Sequence, residues 1–373
     1  MLAPTINYLT NIYFDVRAGH ALSTLRADFG IERPLVITDP TLVRLDILDR
    51  INLDPPALFD QVQTNPSESS AKKAVELYRT RACDGLVAVG GGSSIDLAKA
   101  VGLLVNHEPP LAQYALIHGG RDRIREKLPP LIAIPTTAGS GSEVGRAALI
   151  TLGSGDKLAL ISPKLIPSAA VCDPDLTCTM PAALTAATGM DAISHCVETF
   201  CSPEDNPIAD AIALDGLERA WSNIRGVIAD PNNRPNRREM MLAALAGGLC
   251  FQKGLGAVHS LSHPLGAIPQ ERLHHGTLNA IFLPHVLRFN FDSCREKMAA
   301  MAQRMGMNDD KELPDAFGRL LTDLALPSRL RDLGLIAEDL EPLVSKALAD
   351  HCTQTNPRTM SAADAASLYW AAL

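Results

Sequence analysis

Along the first half of the chain, short apolar runs alternate with stretches of helical period. "RPLVITDPT" (33–41) reads as a buried strand ending at Asp39, and "SESSAKKAVELYRTRAC" (67–83) as a helix behind a serine-rich start. "DGLVAVGGGSS" (84–94) is a second strand that runs into glycines, followed by a helix in "SIDLAKAVGLLVN" (94–106). "LPPLIAIPTTAGSGSE" (128–143) is a third strand ending in a small-residue loop, and "DKLALIS" (156–162) and "AAVCDPDL" (169–176) read as two more. This β-α-β-α order predicts a parallel sheet with helices on its faces. From about residue 180 the texture changes. "MPAALTAATGMDAISHCVETF" (180–200), "IADAIALDGLERAWSNIRGVI" (208–228) and "NRREMMLAALAGGLCFQ" (236–252) are Ala/Leu-rich with helical spacing, and no strand of comparable strength follows. The pattern predicts an α/β domain over 1–179 and an all-helical domain over 180–373, divided at the "CTMP" break.

Composition narrows the class. Apolar residues at 46% and charged residues at 20% are a globular profile, and 373 residues exceed one ordinary core. A net charge of −8 argues against a nucleic-acid or anionic-membrane partner, but leaves anionic small substrates open. The first twenty residues carry no basic and apolar signal-peptide pattern, and no apolar run is long enough to span a bilayer. The eight cysteines form no C-x-x-C pair, so a cytoplasmic protein with reduced thiols is expected.

Two loops carry candidate ligand chemistry. Gly90, Gly91 and Gly92 lie between a strand and a helix, where backbone can approach a ligand and helix N–H groups face an anion. Ser93 and Asp96 have capping-box spacing. A pyrophosphate cradle and a plain tight turn both fit. The Rossmann fingerprint fails, because Ile95 stands at the third glycine position, and the Gly-Lys-Ser/Thr of a P-loop is absent. Asp39 has two readings: an acceptor for the adenosine ribose hydroxyls, favouring NAD over NADP, or a strand-end turn residue. In "PTTAGSGSE", Thr136, Thr137, Ser140 and Ser142 set hydroxyls beside glycines at the end of another strand.

The second half carries imidazoles. Asp191 and His195 are spaced i, i+4 on a predicted helix, His259 and His263 repeat that spacing, and His274 or His275 follows just before Gly276. A carboxylate with two or three imidazoles suits Fe(II) or Zn(II). Ser260 replaces the general-base glutamate of a zinc-protease helix, so that reading is weak.

With "GGGSSIDLAK", "PTTAGSGSEV", "TGMDAISHCVE", "NPIAD" and "GLGAVHSLSHPLGA…HG…NAIFLPHVLRFN" in register over roughly residues 5–290, the chain resembles the iron-containing (group III) alcohol dehydrogenase family. The resemblance implies an α/β dinucleotide-binding domain joined to an all-helical metal domain. It also implies a homodimer, and a hydride passed between NAD(H) and a short-chain alcohol or aldehyde. It implies Asp191, His195, His259 and His275 as ligands of Fe(II) or Zn(II), and His263 as a catalytic residue near the nicotinamide. It assigns Gly91, Gly92 and Ser93 to the pyrophosphate, Asp39 to the ribose with NADH preferred over NADPH, Thr136, Thr137 and Ser140 to the nucleotide, and Lys164 to the nicotinamide ribose.

The chain departs from the family pattern at "SEVGRAALIT", where Arg146 has two readings: a bidentate contact to a carboxylate-bearing aldehyde, or a residue that pairs with a nearby acid or points to solvent. The stretch from His263 to His275 is also slightly long. Rival readings are a dehydroquinate synthase-like or sugar-phosphate enzyme on the same fold, a non-catalytic metal or nucleotide binder, and a metal-dependent hydrolase. The two glycine loops and the full donor set weigh against each.

Overall fold

The structure is a computed structural model that describes residues 10–268 and 273–373. Part of the signal-peptide reading, and four residues of the long His263–His275 stretch, lie outside the described residues. The chain divides into two units, Met1–Thr137 with Gly141–Thr177, and Ala138–Ser140 with Cys178–Leu373. Residues 138–140, read from sequence as part of the α/β domain, are counted with the second unit.

The first unit is built on β1 (Asn11–Phe14), β2 (Pro34–Ile37), β3 (Ala57–Phe59), β4 (Gly85–Gly90), β5 (Leu131–Pro135) and β8 (Ala169–Cys172). They form one parallel sheet in the order β1-β8-β5-β4-β2-β3, with Leu35 beside Leu86 and Leu86 beside Leu131. β2, β4, β5 and β8 are buried along their whole length and read as unbroken apolar runs because both faces are covered. Leu35, Ile37, Leu86, Ala88 and Ala133 pack on one side with α4 (Glu68–Thr80) and α5 (Gly92–Asn106). Val36, Val87, Val89, Ile132 and Ile134 pack on the other with α1 (Ala18–Asp28), α2 (Pro40–Arg44) and α3 (Ile47–Arg50). Connections from β2 and from β4 therefore leave on opposite faces, and the loops after them lie at the switch point where open α/β sheets bind ligands. β7 (Lys157–Ile161) is not part of this sheet. It pairs antiparallel with β6 (Ala147–Thr151), a strand the sequence pattern did not reveal. Two short strands joined by a turn satisfy each other locally, so nothing required β7 to enter the parallel ladder.

The second unit is helical: α6 (Ala182–Cys201), α7 (Pro207–Ala229), α8 (Arg234–Cys250), α9 (Ala257–Leu265) and α10 (His275–Asn290), then α11 (Arg295–Arg304), α12 (Leu313–Asp323), α13 (Ala337–Leu340), α14 (Val344–Ala349) and α15 (Ala362–Ala372). α6 is almost wholly buried from Thr185 to Cys201. Its alanines, together with Gly189 and Gly216, let α7 and α8 approach closely, as small residues at a helix contact do. No single helix among the described residues is long and apolar enough to cross a membrane.

Candidate nucleotide loops and metal centre

The glycine loop of the first unit forms where β4 turns directly into α5. Gly90 has φ +151°, and a Cβ there would lie 2.4 Å from Ser94 Oγ, so only glycine fits. Gly91 is the N-cap of α5 and offers no side-chain acceptor. The first intrahelical bonds are those of the Ser94 and Ile95 N–H groups to the Gly91 carbonyl, so the Gly92 and Ser93 N–H groups stand in the leading turn. Thr137 packs against Gly91, and the Thr136 N–H donates to the Gly90 carbonyl, which brings the two loops together. This donor-rich, uncharged turn fits a pyrophosphate. Ser140 is counted with the second unit instead.

The capping box at Ser93 and Asp96 does not form. Ser93 Oγ donates to the Thr64 carbonyl, and Asp96 accepts from Ser142 Oγ at 2.6 Å and the Leu149 N–H at 3.0 Å. Tertiary partners outcompeted the local one. Lys99, one turn on, donates its buried ammonium to Ser142 Oγ, the Gly145 carbonyl and the Ala147 carbonyl. This network staples the second loop to α5. Burial pulls Lys99 down to about 8, against the pull of Asp96 and Glu143, and pushes Glu143 up to about 7. Sequence reasoning passed over Lys99 and Glu143, although both stand inside quoted motifs.

Asp39 is the N-cap of α2, and its Oδ1 accepts from the Thr41 and Leu42 N–H groups. Arg146 is half-buried beside Arg121, and desolvation and that second guanidinium lower its pKa. Lys164 is a correction. It lines a cavity of about 390 Å³ with Arg125, Lys127, Leu86, Leu131 and Ser168, where β4, β5 and β8 begin. Its ammonium donates to the Arg125 carbonyl. The glycine loops leave the opposite ends of those strands. β7 runs from Lys157 toward Lys164, so the two lysines stand at opposite ends of that strand, and Lys157, donating to Asn65 Oδ1 at 3.0 Å, is the one on the loop side.

In the second unit, one face of α6 carries Asp191, His195 and Glu198, and α9 carries His259 and His263. Asp191 Oδ1 lies 3.8 Å from His195 Nε2, 3.8 Å from His259 Nε2 and 3.7 Å from His275 Nε2. The Asp191, His195 and His259 donors are all within 4.8 Å of one another. His275 opens α10, and its neighbour His274 is only the N-cap residue. Gly276 makes this possible: a Cβ there would lie 2.1 Å from the Ala187 carbonyl of α6.

Two side chains orient this cluster. Glu198 accepts from His259 Nδ1–H at 2.5 Å and from the Val258 N–H at 2.6 Å, capping α9. The His259 Nε2 lone pair is thereby turned toward Asp191. Asn279 donates through Nδ2 to Asp191 Oδ1 at 2.8 Å and also meets His275 Nε2 at 3.1 Å and His259 Nε2 at 3.2 Å. Two amide protons cannot satisfy three acceptors. Burial lowers His195 to about 4, leaving a fourth neutral donor nearby. Converging lone pairs with too few protons fit a cation. N and O donors at about 2.0–2.2 Å from a metal lie roughly 3.3–3.6 Å apart in a tetrahedron, close to the edges seen here. Glu198 and Asn279 were not singled out from sequence, yet both repeat the helical spacing, seven residues after Asp191 and four after His275.

His263 stands beside this cluster, stacked on His275 with ring centroids 5.3 Å apart. Its Nδ1 is 2.9 Å from Asp350 Oδ2. Burial pushes Asp350 up, but His263, His351 and the Cys352 N–H hold its carboxyl well below the usual range.

Residues 10–174 match the family model described as iron-containing alcohol dehydrogenase, and residues 185–373 that of the C-terminal region of the Fe-containing alcohol dehydrogenase family. The chain is 48% identical over 370 residues to a 4-hydroxybutyrate dehydrogenase of Cupriavidus necator, covering 96% of this chain and 97% of that one. A crystal structure of 1,3-propanediol oxidoreductase superposes with a TM-score of 0.91 at 33% identity, covering 99% and 100%. A sulfoacetaldehyde reductase from Bifidobacterium kashiwanohense, in complex with NAD+, superposes with a TM-score of 0.87 at 25% identity, covering 100% and 99%.

Proposed function

The chain belongs to the iron-containing alcohol dehydrogenase family, and from that premise we propose that this NAD-dependent oxidoreductase interconverts a short-chain hydroxy acid and its semialdehyde. The observation that carries the chemistry is the convergence of three imidazole nitrogens on one carboxylate oxygen, Asp191 Oδ1. Asp191, His195, His259 and His275 hold Fe(II) or Zn(II). When bound, the metal supplies Lewis acidity toward the substrate oxygen, and NAD supplies the hydride carrier. Gly91, Gly92 and the Ser93 N–H receive the pyrophosphate, with Thr136, Thr137 and Ser140 around the nucleotide. Asp39 disfavours a 2′-phosphate by its charge, so NADH is preferred. His263 carries the proton at Nε2.

The similarity to a 4-hydroxybutyrate dehydrogenase supports the carboxylate-bearing substrate class. Arg146 holds that carboxylate, with the Arg121 guanidinium beside it adding to the attraction for an anion. Eight free cysteines support a cytoplasmic setting. Two copies pair as a homodimer, and the edge strand β1, with Ile12 and Tyr13 exposed, is a surface that pairing would cover.

The test is to strip the protein with chelator, reload it without oxygen using Fe(II), Zn(II) or nothing, and follow NADH and NADPH oxidation. The panel holds succinic semialdehyde, hydroxyaldehydes and simple aldehydes. Metal-dependent turnover with NADH, best on the semialdehyde and weakened for it alone by Arg146→Ala, is the expected result. Equal use of all aldehydes would remove the carboxylate reading. Bound NADH with no turnover under any metal would favour a dehydroquinate synthase-like activity.

A further inference from the structure

The i, i+4 histidines of α9 are each held from behind by a carboxylate, but by carboxylates from different places. Glu198 of α6 accepts from the Nδ1–H of His259. Asp350, on the segment between α14 and α15, accepts from the Nδ1–H of His263 at 2.9 Å. The two arrangements are alike, yet only His259 turns its Nε2 into the Asp191 cluster. His263 lies near-parallel to the rings of His275 and His351 instead.

We infer that Asp350 is a positioning residue: it fixes the tautomer and ring angle of His263 so that Nε2 presents its lone pair for proton transfer. This rests on the reading that His263 acts at the substrate.

The segment around Asp350 is tied down by hydrogen bonds. Its Oδ1 accepts from the Cys352 N–H at 2.8 Å, which starts a single 3-10 turn. That turn is tied to the start of α9 by Thr355 Oγ1, donating to the Leu255 carbonyl at 2.6 Å, and by Asn356 Oδ1, accepting from the Ala257 N–H at 3.0 Å. Asn356 and Asn290 of α10 also exchange amide hydrogen bonds at 2.8 and 2.9 Å. The carboxylate is therefore bolted to the helix that carries the histidine it serves. A ring whose one nitrogen is a committed donor must keep its lone pair on the other. Asp350 itself transfers nothing; it acts through His263.

Asp350→Asn tests the idea with little change of shape. An asparagine still accepts from the Cys352 N–H through its oxygen, but its NH2 then meets the Nδ1–H of His263, donor against donor. The ring is expected to move its proton to Nε2. Nitrogen-15 NMR of histidine side chains in the zinc-loaded enzyme reads this directly, with His263→Ala identifying the signals. The expected result is an Nδ1-protonated His263 in the native protein and an Nε2-protonated one in Asp350→Asn. In turnover, kcat should fall about 10- to 100-fold, within the roughly 10²–10⁴ that a positioned proton-transfer group supplies. KM for the aldehyde and bound metal should stay level, Asp350→Glu should recover part of the rate, and Asp350→Asn with His263→Ala should be no slower than His263→Ala alone. An unchanged tautomer in Asp350→Asn, or losses that multiply in the double variant, would overturn the proposal. If His263→Ala turns over at the native rate, the role of His263 falls, while the NMR result still decides whether Asp350 sets the ring.

Discussion

At the scale of single residues, several side chains serve the fold as well as the chemistry proposed for them. Asp39 shows this most directly. Its Oδ1 caps α2, which alone explains an aspartate after a strand, and a net negative charge remains beside the loop region. Asp39→Asn separates the two roles, since asparagine caps as well as aspartate but carries no charge. The thermal midpoint should then hold, while kcat/KM for NADPH rises about tenfold relative to NADH, equivalent to roughly 1.4 kcal/mol of removed repulsion. Steady-state kinetics with both cofactors check this, and an unchanged ratio would leave Asp39 as a helix cap only.

At the scale of elements, donors are placed by how closely helices approach. Asp191 and His195 come from one face of α6, His259 from α9 and His275 from the first residue of α10. α6 and α10 approach closely at Gly276, where there is no room for a methyl group against the Ala187 carbonyl. Gly276→Ala must therefore push α10 outward and carry His275 with it. The expected cost is about 1–3 kcal/mol, the range for overpacking, together with loss of iron retention on dialysis. Metal analysis beside a melting curve measures both. A variant that melts early but keeps its iron would show that α10 yields elsewhere along its length.

At the scale of a whole unit, the buried Lys99–Glu143 network makes stability depend on pH. Folded Glu143 keeps its proton up to about 7, whereas the ordinary value is 4.5, so the folded state binds more protons between those values. Stability should fall as pH rises from about 4.5 to 7 and then level off. Lys99 has the opposite sign: its folded value of about 8 lies below the ordinary 10.5, so stability should rise again over that interval. Glu143→Gln should flatten the acid-side slope and raise stability at pH 8 by up to about 3 kcal/mol. Urea unfolding midpoints from pH 4.5 to 10 would show it, and a slope that survives the substitution would assign the dependence to other groups.

Much of this protein was legible before any coordinates, and what was legible was local. Alternation of apolar runs and helical stretches fixed the β2–α4–β4–α5–β5 order, because strand and helix periods are written within a few residues. The i, i+4 pairs Asp191/His195 and His259/His263 were legible for the same reason, and Glu198 and Asn279 could have been found by extending that period. Three-residue spacing at Ser93 and Asp96 misled, because the Ser142 hydroxyl and the Leu149 N–H claimed Asp96 from far along the chain. Lys164 misled because the length of β7 separates it from Lys157 and sets it where β4, β5 and β8 begin, away from the glycine loops. β1, β3 and β6 were not legible: β1 is largely exposed, β3 has only three residues, and β6 alternates buried and half-buried positions, so none stands out as a buried run. Asp350 gave no signal at all, lying 87 positions from the histidine it holds. Sequence by itself determined which donor types exist and which helix face each occupies, since these follow from backbone periodicity. Only tertiary packing decided which donors meet at Asp191 Oδ1 and which carboxylate stands behind each histidine, because hydrogen bonds and close contacts form between whatever the folded chain brings within about 3 Å, whatever their separation in sequence.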